Sequence, residues 1–148
     1  MAMEGKPFDE LDEKLQELVN AAFDMKRCAY CPYSNFHVGC AVLTESGEIY
    51  AGCNVENASY GLSICAERVA MTNALSKGHR KFRAAAVSCD VVDTFKGPCG
   101  ACRQFFIEFG LEWDLYMVKP DKTWRKMQMG ELVPLPFTPA SLQEERVK

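Results

Sequence analysis

Of the 148 residues, no stretch stays apolar long enough to cross a membrane, because a spanning helix needs about 20 consecutive apolar residues. The first residues, Met1-Ala2-Met3-Glu4-Gly5-Lys6-Pro7-Phe8-Asp9-Glu10, also lack the apolar segment of a secretory leader. These absences predict no membrane association and a cytoplasmic location. Basic charge is not in excess either: 17 Lys and Arg stand against 20 Asp and Glu, a formal net charge of −3. The basic doublets Lys26-Arg27, Arg80-Lys81 and Arg125-Lys126 are dispersed. A polynucleotide-binding surface draws its affinity from clustered Lys and Arg, so this balance favours a small-molecule ligand and no nucleic acid polymer. Histidine is scarce. His37 and His79 stand in no motif, nor do Trp113 and Trp124, and all four read as structural. There is no internal repeat and no low-complexity segment.

Cysteine is abundant, with eight residues. In a small secreted chain that number would suggest a disulfide scaffold, but this chain shows no leader and carries 48% hydrophobic residues, enough for a full-sized core. Reduced thiols in one domain over residues 1–148 are expected, with flexible ends.

Residues 9–27 place Leu11, Leu15, Leu18, Val19 and Ala22 at helical spacing. Pro32 and Ser34-Asn35 then break the chain into a turn. Residues 36–43 and 48–53 read as a hairpin around Glu45-Ser46-Gly47, and 54–60 as a polar loop. Residues 65–77 form a predicted helix stopped by Gly78, 82–89 a buried strand, and 99–109 a helix stopped by Gly110. Residues 115–118 and 123–129 complete a set of about five strands, which predicts an α/β sandwich.

Two short pieces carry the chemistry: Cys65-Ala66-Glu67 and Pro98-Cys99-Gly100-Ala101-Cys102. Cys99 and Cys102 share a face of the first helical turn if Pro98 opens that helix. Cys65 and Glu67, two apart, converge only if Cys65 stands at the entrance of its helix. Three thiolates around Zn²⁺ leave one coordination position open for water, as a catalytic site requires, and Glu67 is placed to move that water's protons. The formal charge of −1 on such a centre calls for an offset, which two helix N-termini and a hydrogen bond from Arg68 would supply. A competing arrangement pairs Cys28 and Cys31 with Cys99 and Cys102 in a structural Cys₄ site, although their separation exceeds the usual ~15 to 20 residues. Otherwise Cys28, Cys40, Cys53 and Cys89 read as core residues.

With Cys-Ala-Glu at the start of one helix, Pro-Cys-x-x-Cys-Arg-Gln at the start of another and a strand between, the chain resembles the zinc-dependent cytidine deaminase family in its small, three-cysteine form. The resemblance covers residues 15–138. It implies a three-layer α/β/α sandwich with a mixed, about five-stranded sheet, and one Zn²⁺ per chain on Cys65, Cys99 and Cys102. It implies hydrolytic deamination of cytidine and 2′-deoxycytidine with Glu67 as proton shuttle and the Ala66 backbone N–H orienting the base. By the same resemblance Phe36 packs near the base, and Asn54 and Glu56 hold the ribose. Small members are homotetramers in which residues matching Tyr60 and Phe137 reach the adjacent subunit's site. Members acting on nucleotides or polynucleotides commonly carry His-x-Glu, so Cys-Ala-Glu points to free nucleosides, and a carboxylate at Glu56 should repel a 5′-phosphate. The competing readings are a deaminase of another cytidine-like heterocycle and the non-catalytic Cys₄ module.

Overall fold

The computed structural model describes residues 4–147. Residues 1–3 and 148, and with them the expectation about the extreme chain ends, lie outside it. Asp12 caps the first helix, α1 (Glu13–Met25), by accepting the Leu15 N–H. The expected helix over 9–27 is therefore shorter: Phe8–Glu10 and Lys26–Cys28 are separate 3₁₀ turns. The hairpin follows, β1 (Val38–Thr44) pairing antiparallel with β2 (Ile49–Cys53) around Gly47, whose φ of 96° suits glycine.

Helix α2 (Ala66–Ser76) leads to β3 (Phe82–Cys89), which lies antiparallel to β1 on its other side. Helix α3 (Gly100–Ile107) then crosses to β4 (Asp114–Val118), parallel to β3, and β5 (Trp124–Gln128) closes the sheet antiparallel to β4. The order is β2-β1-β3-β4-β5, a mixed five-stranded sheet as expected.

Alternation along the strands divides the core in two. Ala41, Leu43, Ala84, Ala86, Tyr116 and Val118 pack with Leu18, Val19 and Ala22 of α1. Cys40, Val42, Ala85, Val87, Leu115 and Met117 pack with Ala70 and Met71 of α2 and Phe106 and Ile107 of α3. The result is three layers. Two glycines set how close the helices lie to the hairpin. A Cβ at Gly39 would stand 2.0 Å from the Ala22 carbonyl oxygen of α1, and one at Gly52 would stand 2.5 Å from the Ala70 nitrogen of α2.

Three expectations need correction. The first strand begins at Val38, not Phe36, because the Asn54 side chain accepts the Val38 N–H at 2.9 Å and donates to the Phe36 carbonyl at 2.7 Å in place of a neighbouring strand. Cys28 is exposed rather than in the core, since it ends the 3₁₀ turn after α1, whereas Cys40, Cys53 and Cys89 are buried. Pro98 precedes the cap residue Cys99 instead of opening α3.

Replacing Gly39 by Ala should push α1 off the sheet and cost roughly 3 kcal/mol, the upper end for overpacking. Gly47→Ala, with nothing within 4 Å of its Cβ, should cost only about 1 kcal/mol for its backbone angle. Urea denaturation of both variants checks the contrast, and equal losses would contradict the close approach of α1.

Candidate metal centre

Helices α2 and α3 both begin beside the carboxyl end of β3, the usual ligand position in sheets with parallel strands. Cys65 is the cap residue of α2 and Cys99 that of α3, both with extended backbone, while Cys102 lies one turn into α3 and is buried. The Cys65 and Cys99 sulfurs are 3.8 Å apart, and all three sulfurs lie within 4.8 Å of one another. Two sulfurs bonded to one tetrahedral zinc at about 2.3 Å stand about 3.8 Å apart, so the trio fits a single zinc ion. Cys28 and Cys31 do not join this cluster. Among the described residues no other group of His, Cys, Asp or Glu is spaced for a metal.

The electrostatics suit that ion. An Arg68 Nη2–H donates to the Cys65 sulfur at 3.7 Å, as the sequence leads one to expect. Its Nε–H is buried with no partner among the described residues. The Cys65 thiol is drawn down to about 5 by hydrogen bonding from Cys102 and from Arg68. Cys102 is pushed up by its contact with that thiolate and by burial. The first four N–H groups of each helix have no partner inside the helix and place positive ends at the cluster.

Glu67 is the second residue of α2 and is only 5% exposed. Burial raises its carboxyl to about 7, with the Cys65 charge adding to the effect. The cap conformation of Cys65 is what brings this carboxyl and the sulfur cluster together despite their spacing of two. A carboxyl that titrates near neutrality can both accept and release a proton there.

A cavity of about 470 Å³ opens onto Cys65, Ala66, Glu67 and Cys99. Its walls include Phe36, Val38, Val87 and Cys89, and its rim Ser34, Asn54, Glu56, Lys96 and Gly97. Phe36 is 41% exposed, a wall residue rather than strand core. Asn54 and Glu56 both reach the rim, yet each already holds the chain in place. Glu56 accepts the N–H groups of Tyr33 and Ser34 and the Ser34 hydroxyl, and the Ser34 bond keeps its carboxyl below the usual range. A carboxylate has about four lone-pair sites, and an amide two acceptor and two donor sites. Each side chain therefore keeps capacity for a ligand.

Tyr60 and Phe137 do not line the cavity of their own chain. Tyr60 is 74% exposed and packs edge-on to Tyr33, and Phe137 is 60% exposed. The sequence reading missed Ser34, Val38, Val87, Cys89, Lys96 and Gly97. Of these, Val38, Val87 and Cys89 were open to inference from the alternation of β1 and β3; Ser34, Lys96 and Gly97 depend on loop geometry.

Three cysteine sulfurs spaced for one zinc, a buried carboxyl and a cavity at two helix starts define the site of a zinc-dependent hydrolytic enzyme. The family described as the cytidine and deoxycytidylate deaminase zinc-binding region matches residues 12–117, and the chain belongs to it. A probable cytidine deaminase of Dictyostelium discoideum is 45% identical over 139 residues, covering 90% of this chain and 94% of that one. The crystal structure of a cytidine deaminase from Burkholderia pseudomallei superposes with a TM-score of 0.78 at 44% identity, over 82% of this chain and 97% of that one. That of Mycobacterium tuberculosis gives 0.72 at 36% identity, over 86% and 98%.

Because the folded chain holds the Glu67 proton more tightly than the unfolded chain does, the contribution of this carboxyl to the stability of metal-free protein should fall as pH rises from about 4.5 to about 7, while the lowered Cys65 thiol acts in the opposite sense in variant and wild type alike. The shift from 4.5 to about 7 corresponds to about 3 kcal/mol. In chelator-treated, reduced protein, the stability difference between Glu67→Gln and wild type should grow in the variant's favour by about that amount between pH 4.5 and pH 8. Urea titrations at both pH values measure it, and a constant difference would mean that the carboxyl is solvated.

Proposed function

We propose that the chain, as a single domain over residues 1–148, converts cytidine and 2′-deoxycytidine with one water to uridine and 2′-deoxyuridine plus ammonia. The observation that carries this reading is the Glu67 carboxyl, buried and raised to about 7, at the end of a cavity shared with three sulfurs spaced for one zinc. Cys65, Cys99 and Cys102 would hold the zinc ion, which when bound would supply Lewis acidity and lower the pKa of a water toward about 7. Glu67 takes the proton from the attacking water, delivers it to N3 of the base, and carries a second proton to the departing amine. The Ala66 N–H, free at the start of α2, orients the base against it. Phe36 packs along the base, and the unspent sites of Asn54 and Glu56 take ribose hydroxyls. A charged Glu56 at that position disfavours a 5′-phosphate and supports nucleosides as substrates.

The same proposal extends to assembly. Tyr60, Leu62, Ile64, Leu135 and Phe137 are exposed apolar side chains, more than a scattered surface needs. A homotetramer would cover them, with Tyr60 and Phe137 completing the neighbour's cavity. No helix among the described residues is long and apolar enough to span a membrane, and eight free cysteines support a reducing, cytoplasmic setting.

Zinc-loaded protein should release ammonia from cytidine. Glu67→Gln should retain one zinc per chain and lose at least ~10²- to 10⁴-fold in turnover; near-wild-type turnover in that variant would sink the mechanism. The assembly is tested by mixing. Phe137→Ala and Glu67→Gln tetramers should each be impaired, but co-assembled chains should regain part of the activity, because an intact Glu67 then receives Phe137 from its neighbour. Mixed tetramers no more active than the averaged parents would confine Phe137 to its own chain.

A further inference from the structure

The Arg103-Gln104 pair that follows Cys102 has no part in the chemistry above, yet its side chains connect three segments. Arg103 is half-buried. Its Nε–H donates to the Pro98 carbonyl at 2.8 Å and its Nη1–H to the Leu132 carbonyl at 3.1 Å. Its Nη2 lies 3.2 Å from where a Cβ on Gly97 would stand. Gln104 donates from Nε2 to the Phe137 carbonyl at 2.8 Å. One guanidinium thus touches the cavity rim at Gly97 and the adjoining Pro98, directly before Cys99, and the start of the C-terminal strap that runs from Leu132 to Phe137.

We infer that Arg103 is a positioning residue that bolts the Cys99 side of the cavity to the C-terminal strap, while Gln104 fixes the strap's far end at Phe137. The planar fork lets one side chain serve two carbonyls from distant segments, which the single ammonium of lysine cannot reproduce. Gly97 is small because the guanidinium lies against it, not because of its backbone: the glycines with positive φ are Gly47, Gly78 and Gly110. Alanine at 97 would crowd only the Arg103 guanidinium, because the other neighbour of its Cβ, the Met117 sulfur at 3.6 Å, stands at ordinary van der Waals distance.

The test uses full-length, zinc-loaded chain and reads zinc transfer to a chelator, which needs no turnover. Arg103→Lys should speed transfer about tenfold, the effect of losing a charge-assisted hydrogen bond beside a ligand. Gly97→Ala should speed it roughly threefold in the wild-type background and not at all in Arg103→Lys, since both changes break one contact. Gln104→Ala should leave transfer unchanged and raise KM for cytidine more than it lowers kcat. Transfer within twofold of wild type in a folded Arg103→Lys protein overturns the inference, as do independent effects of the two changes. If Arg103→Lys does not fold, Gly97→Ala decides alone, and an unchanged rate refutes the bolt. The KM arm rests on the deaminase reading: if wild type does not turn over cytidine, that reading fails while zinc transfer still decides the role of Arg103.

Discussion

Three sulfurs within 4.8 Å of one another repel once they ionise, and the surrounding structure answers that repulsion. A divalent cation is the largest single offset. Two helices aim their unpaired N–H groups at the cluster, and Arg68 is held against it. All three require that α2 and α3 start at one point, and the sheet determines where they can start. Gly52 lets α2 lie close to β2, and the parallel pairing of β3 and β4 places α3 as the crossover on the same face.

Around the metal centre, regular structure gives way to loops whose backbone groups still need partners. Side chains at the cavity rim, and Arg103 beside it, meet this need. Asn54 closes the start of β1, Glu56 holds the turn at residues 33 and 34, and Arg103 ties residue 98 to residue 132. These side chains hold the cavity in shape before any ligand arrives, so binding has little ordering entropy left to supply. It follows that substituting Asn54 or Glu56 changes the walls as well as the contacts a nucleoside would make.

The strands and helices were legible because their signals are periodic. The strand at 82–89 matches β3 residue for residue, and Gly78 and Gly110 follow the helices they were expected to stop, both with positive φ. The entrance position of Cys65 followed from requiring that it and Glu67, two residues apart, face one metal site. Other features were not legible. Cys28 looked like core because a cysteine is usually buried, but a 3₁₀ turn carried it to the surface. Phe36 looked like strand because nothing local shows that Asn54, far along the chain, takes the place of its partner.

The sequence by itself marked the strands, the helices and the two cysteine-bearing helix starts, because each is written in spacing: period two for strands, one helical turn between Cys99 and Cys102. The layers, the ligand set and the part given to Glu67 came from the family resemblance that those pieces carry. Only the tertiary structure decided that Glu67 is buried enough to titrate near 7, that Lys96 and Gly97 face the cavity, and that Arg103 joins the metal helix to the tail. Burial and long-range hydrogen bonds depend on which surfaces meet when the layers close, and no local pattern records that meeting.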